Sequence, residues 1–200
     1  MFHKLGQRLV RGVARFVIHS VYWVRYIGEK KLPKEGAYIM CVNHRSVMDI
    51  PIAGCISHGR WTYFMGKKEL FEKPFSRFFM NLMDVFPVAR GEGDIKSIRT
   101  ALNHLKKGRI VTIFPQGTRE KEGMKLPARK GAAMLVAMSE APIIPVCITG
   151  KMRPFSPIKA YVGKPFDLGL RKGQRYDREV YEKKSQEIMD RINELPEVYG

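Results

Sequence analysis

From Lys4 to Ile27 the basic and apolar positions sort onto different sides of a helical wheel. At about 100° per residue, Lys4, Arg8, Arg11, Arg15, His19, Tyr22 and Arg25 share an arc of roughly 120°. Leu5, Leu9, Val13, Phe16, Val17, Val21, Trp23, Val24 and Ile27 fill the remainder, with Ile18 as the exception. The pattern predicts one basic amphipathic helix. Its aromatics Tyr22, Trp23 and Tyr26 cluster towards one end, as in helices that lie in a headgroup interface. A surface helix packed on its own domain would show a similar pattern, since Arg-rich polar faces occur there too.

After the turn residues Pro33 to Gly36 the period changes. Short apolar runs, Ala37 to Val42, Trp61 to Gly66, Val85 to Ala89, Arg109 to Phe114, Ile143 to Thr149 and Lys159 to Val162, read as strands. Between them lie helical segments: Asp49 to Ile56, Glu69 to Met83 with a break near Pro74, Ile95 to Lys107 ending at Gly108, and Lys130 to Met138. A charged helix closes the chain from Asp177, its expected N-cap, to Leu195. This alternation predicts an α/β fold with a mostly parallel or mixed central sheet covered by helices on both faces. Residues 1–30 are expected as an amphipathic helix appended to a single domain of residues 31–200.

Charge narrows the choice of partner. The 200 residues carry 36 Lys and Arg against 19 Asp and Glu, a net charge of +17, while 44% hydrophobic residues argue against disorder. A folded protein this basic is expected to meet nucleic acid, an anionic membrane surface or a phosphate-bearing substrate. No helix-turn-helix, zinc-finger or RNA-binding motif is present, and aromatics are not interleaved with basic residues as a stacking platform requires. A nucleic-acid-binding module is therefore the weaker alternative. No run is long and apolar enough to span a bilayer: the longest charge-free stretch near the start, Phe16 to Val24, has nine residues. Cys41, Cys55 and Cys147 are an odd number without metal-ligand spacing, which reads as reduced thiols in a cytosol-facing protein with no metal site.

Four stretches carry candidate chemistry, the first three beginning where an apolar strand ends. In Asn43-His44-Arg45-Ser46-Val47-Met48-Asp49, His44 is the candidate general base and Asp49 the carboxylate that fixes its tautomer. Phe114-Pro115-Gln116-Gly117-Thr118-Arg119 offers a glycine, a hydroxyl and a planar guanidinium suited to phosphate. Phe86 to Gly93 delivers Arg90 beside glycines, and Ala141 to Val146 is apolar and structural in character.

Taken in chain order, Asn43 to Asp49, Phe86 to Gly93, Phe114 to Arg119 as the third and Ala141 to Val146 as the fourth, and at these spacings, the four blocks closely resemble those of the glycerolipid acyltransferase family, nearest to its bacterial lysophosphatidic acid acyltransferases. The resemblance runs from Tyr38 to Gly150 and extends to the basic, small-residue segment Lys125 to Ala133. It implies acyl transfer from acyl-CoA or acyl carrier protein to the sn-2 hydroxyl of a lysophosphatidic acid, without a cofactor. His44 and Asp49 would be catalytic, and Arg90, Gln116, Gly117, Thr118 and Arg119 would bind the acceptor. The expected location is the cytoplasmic face of a membrane, reached through the N-terminal helix. One position departs from the pattern: the family usually carries Glu where this chain has Gln116. An amide keeps a hydrogen bond but not a charge, so another lysophospholipid or glycerol 3-phosphate stays open as acceptor.

Overall fold

The computed structural model describes residues 2–57, 59–89, 95–120, 124 and 126–200, with backbone only for 2–5, 8 and 11. Helix α1 (Phe2–Val21) leads into strand β1 (Trp23–Gly28). There follow β2 (Tyr38–Val42), α2 (Asp49–Ile56), β3 (Thr62–Lys67), a 3-10 turn (Lys68–Phe71), α3 (Pro74–Leu82), β4 (Val85–Val88) and α4 (Ile95–Lys106). The second half holds β5 (Ile110–Ile113), α5 (Gly131–Ser139), β6 (Ile143–Gly150), β7 (Pro157–Val162) and α6 (Arg178–Tyr199).

The seven strands form one sheet in the order β1-β7-β6-β2-β5-β3-β4. Strands β6, β2, β5, β3 and β4 run parallel, while β7 pairs antiparallel to β6 and parallel to β1. Burial of both faces explains why the central strands are continuously apolar. Along β2, Ile39 and Cys41 join one core with Leu105, Val136 and Ile188, while Tyr38, Met40 and Val42 join the other with Ile18, Ile52 and Ile56. Helices α4, α5 and α6 thus cover one face, and α1, α2 and α3 the other. Parallel strands deliver all their carboxyl ends to one edge, so the segments that follow β2, β3 and β5 gather there.

The expected α/β architecture is present, and most element ends fall within two residues of the reading from sequence. Gly108, two residues past the end of α4, takes φ +69°, the left-handed conformation that closes a helix. Pro74 opens α3 at the predicted break. Three details differ. The charged closing helix runs on past Pro196 to Tyr199, and Asp177 sits at its N-cap without a side-chain capping bond. More consequentially, the N-terminal helix stops at Val21. The β-branched and aromatic residues of Trp23–Gly28 instead form an edge strand, registered on β7 from Trp23 opposite Pro157 to Gly28 opposite Val162. Residues 1–30 are therefore partly woven into the sheet rather than appended to it.

The same correction applies to which side of α1 meets the protein. Ile18, the exception on the wheel, is completely buried, and Val10 and Ala14 border a small apolar crevice with Pro51, Gly54 and Phe64. Leu9, Val13 and Phe16 on the broad apolar side are 68%, 56% and 72% exposed. So α1 has three faces: a narrow one against the core, a basic one, and an apolar one turned outward. Ile18→Ala is expected to destabilise the fold by about 2–4 kcal/mol, as buried truncations do. Phe16→Ser should change stability by no more than about 0.5 kcal/mol. Urea unfolding of both variants checks this difference, and equal losses would contradict the three-faced helix.

Candidate active site

Strand β2 is the middle strand of the seven-stranded sheet, and the chain leaves it through Asn43. The buried Asn43 side chain continues the ladder that the backbone abandons: Oδ1 accepts from Ile148 N at 2.7 Å and Nδ2 donates to Ile148 O at 3.0 Å. With the strand end pinned to β6, the main chain is free to turn and present His44. Arg45 adds a second tie, donating to Gly150 O at the end of β6 at 3.2 Å.

The turn is organised around one carboxylate oxygen. Asp49 Oδ2 lies 3.0 Å from His44 Nδ1, and accepts from Arg45 N at 2.6 Å and Ser46 N at 2.7 Å. Ser46 Oγ accepts from Met48 N, and Asp49 is the first residue of α2, where a helix N-terminus favours negative charge. Asp49 is fully buried, and its Oδ1 has no partner among the described residues. The contact to Oδ2 assigns the proton to Nδ1, which leaves Nε2 as the acceptor. The imidazole stacks on Phe114 at 4.0 Å between centroids and 19° between planes, and remains 14% exposed. It is held by hydrogen bond and ring face together.

The loop after β5 closes against this turn. Glu120 N donates to His44 O at 2.8 Å, joining the two motif loops through the backbone. Gly117 adopts φ +69° in a turn whose amide donates to Phe114 O, and a Cβ there would come within 2.8 Å of Arg129 Cδ. Both the conformation and the crowding demand glycine. Arg129 spans the loop, donating from its backbone to Pro115 O and from Nε to Gln116 O.

The expected binding residues separate into distinct environments. Gln116 is buried inside the loop, its Nε2 donating to Glu120 Oε1 at 3.1 Å and its Oε1 unpartnered among the described residues. Arg119 is exposed and has no hydrogen bond or ion pair with another described residue; Thr118 is half-buried beside it. Arg90 lies outside the described residues. Among these described residues no group of His, Cys, Asp and Glu could hold a metal.

Several site residues escaped the reading from sequence. Glu120 and Phe114 act through contacts to His44 that no spacing rule encodes, although Phe114 belongs to a quoted block. Lys67 ends β3 on the same sheet edge, where it pairs with Glu69 at 3.2 Å. Its only sequence signal was its place at a strand end. Cys41, by contrast, is fully buried inside β2, and burial pushes its thiol up, so no thiolate nucleophile is available three residues before His44.

Comparison with known proteins places the chain in a family. A family model described as Acyltransferase fits residues 23–149. The 1-acyl-sn-glycerol-3-phosphate acyltransferase of Bacillus subtilis (strain 168) is 32% identical over 127 residues, 64% of this chain and 63% of that protein. The enzyme of the same name from Saccharomyces cerevisiae is 34% identical over 139 residues, 67% of this chain and 45% of that protein. The chain thus spans less than two thirds of the length of these relatives. The crystal structure of the 1-acyl-sn-glycerophosphate acyltransferase PlsC from Thermotoga maritima superposes with a TM-score of 0.70 at 23% identity, over 97% of this chain and 81% of that one, and shows a shared fold. Because the family match takes in more than half of the chain and both interlocked motif loops, this protein belongs to the acyltransferase family.

Proposed function

We propose that this chain transfers an acyl group from a thioester, acyl-CoA or acyl carrier protein, to the sn-2 hydroxyl of 1-acylglycerol 3-phosphate. The names of its relatives support that acceptor. The observation that carries the chemistry is the His44–Asp49 pair, at 3.0 Å with the carboxylate held by two further backbone donors.

In the proposed step, Nε2 of His44 takes the hydroxyl proton as the acceptor oxygen attacks the thioester carbonyl. The new C–O bond forms, the C–S bond breaks, and the departing thiolate recovers a proton from the imidazolium. Asp49 keeps the ring in the required tautomer and stabilises the imidazolium. Such base catalysis contributes about 10² to 10⁴ in rate. A thiolate already leaves readily, so direct transfer needs no acyl-enzyme, which agrees with the suppressed thiol of Cys41. The exposed guanidinium of Arg119, with Arg90, would bind the acceptor phosphate beside Gly117 and Thr118. The acceptor is borne by a bilayer, and the outward apolar face of α1 with the net charge of +17 supports docking on an anionic membrane surface. No described helix is long and apolar enough to cross a membrane. The free cysteines favour the cytoplasmic side.

The Gln116–Glu120 contact accounts for the departure at Gln116. Two carboxylates at the 3.1 Å separating these side chains could not both ionise without strong repulsion. With Glu120 supplying the charge, an amide at 116 is the compatible partner, so the loop keeps one carboxylate in displaced form. This keeps the phosphate acceptor as the favoured reading; glycerol 3-phosphate carries the same headgroup and is the second reading that Gln116 leaves open.

His44→Ala should lower turnover by about 10²–10⁴-fold with the fold intact, and Asp49→Asn by a similar order. Full turnover by folded His44→Ala would remove the base assignment. Arg119→Lys should raise KM for the phosphate-bearing acceptor by about tenfold while the donor KM stays within about twofold, because lysine lacks the bidentate fork. A matched rise for both substrates would place Arg119 elsewhere. Gln116→Glu should lower both melting temperature and activity, and adding Glu120→Gln should restore most of each, a coupling of about 1–3 kcal/mol in a double-mutant cycle. Additive losses would show that the two side chains do not share one charge.

A further inference from the structure

We propose that α3 is a second membrane-docking element, which inserts Phe75, Phe78 and Phe79 into an anionic lipid leaflet alongside the apolar face of α1. The inference rests on the membrane-surface reading above and extends it to a segment distant in sequence.

Helix α3 buries no residue fully. Phe75, Phe78 and Phe79 are 77%, 62% and 42% exposed, and Leu70 in the preceding 3-10 turn is 40% exposed. At helical spacing, Phe75, Phe78, Phe79 and Leu82 lie on one side. Met80 and Met83 face the core through another, and exposed Arg77 lies on a third. The arrangement repeats that of α1: a narrow core face, a basic flank and an outward apolar stripe.

The two stripes join. Leu82 Cδ1 lies 3.9 Å from where a Cβ on Gly6 would sit, and Gln7 Nε2 donates to Asp84 Oδ2, so the end of α3 meets the start of α1. Gly6, Leu9, Val13 and Phe16 then continue the apolar line along α1. At their other ends both helices reach the catalytic edge of the sheet: α3 starts after the carboxyl end of β3, and α1 ends where β1, antiparallel to the central strands, begins. Trp23 at that junction is 59% exposed, and Val47 in the His44 turn is 60% exposed. Apolar surface therefore flanks the site from both sides.

A contiguous exposed patch of this kind marks an interaction surface. Its surroundings identify the occupant as a lipid leaflet. Arg15, Lys68, Lys73 and Arg77 are exposed around the stripes, against Glu69, which pairs with Lys67, and Glu72. A second copy of this chain would bring a further charge of +17 against the first, whereas anionic headgroups complement it and acyl chains take up the phenylalanines.

The test is cosedimentation of the full chain with vesicles of equal parts phosphatidylglycerol and phosphatidylcholine. The triple variant Phe75→Ser, Phe78→Ser, Phe79→Ser should partition about tenfold more weakly or worse, with an unchanged melting temperature. Acyl transfer to a short-chain acceptor dispersed in water should be retained by this variant. A Phe79→Trp variant should show blue-shifted emission on vesicle addition, beyond the signal of Trp23 and Trp61. Undiminished partitioning, or no added shift from the new indole, would overturn the assignment to α3. An oligomer in lipid-free solution that the triple variant converts to monomer would overturn it in favour of self-association. Partitioning is read without turnover, so failure of the proposed acyl transfer would leave these outcomes standing.

Discussion

The site depends on a single buried oxygen. Asp49 Oδ2 collects His44 Nδ1 and the amides of Arg45 and Ser46, and nothing else in the loop fixes so many atoms at once. Removing a carboxylate from water costs several kcal/mol, and charge-assisted hydrogen bonds of about 1.5–3 kcal/mol each offset that cost only while all three donors stay in place. The constraint works in both directions. The loop must keep its turn to satisfy Asp49, and Asp49 must stay in position to orient the imidazole.

Everything around that oxygen limits its freedom. Asn43 holds the end of β2 to β6, Phe114 covers one face of the His44 ring, and Glu120 ties the backbone of the third motif to the carbonyl of His44. The first and third motif loops are thus one rigid unit, built across the neighbouring strands β2 and β5. Arg119 on that unit is exposed and has no hydrogen bond or ion pair with another described residue, which suits the proposed contact to a phosphate. Under the proposed function, restraint at the imidazole and freedom at the guanidinium are complementary, because orientation governs the transfer step while recognition has to admit a diffusing headgroup.

The front layer of the sheet solves a different problem. Helices α1 and α3 give the core only a narrow face each and leave apolar residues outside, at a cost in solubility that the charge of +17 counters. Under the proposed function, with an acceptor that stays in a bilayer, that exposure would put the His44 edge of the sheet next to its substrate.

The α/β fold and the contact between His44 and Asp49 were legible from sequence because their signals are local. Fully buried parallel strands must be continuously apolar, Gly108 ends a helix by its own backbone freedom, and a five-residue spacing in a turn returns Asp49 to His44. The amphipathic wheel failed at its end: a wheel sorts residues by angle, and Trp23–Gly28 could be assigned to a strand only once β7, more than a hundred residues later, supplied its partner. Likewise the wheel showed that α1 is amphipathic but not which side meets the core; Ile18 was buried in the core that α2 and the sheet share. For the same reason the helical segment before Met83 could be read from sequence, but not the exposure of Phe75, Phe78 and Phe79. Gln116 looked like a lost charge until the loop brought Glu120 to it. Sequence by itself determined which residues could do chemistry and how the backbone would run locally. Tertiary structure decided which apolar faces were covered and which charges met, since both depend on partners far away along the chain.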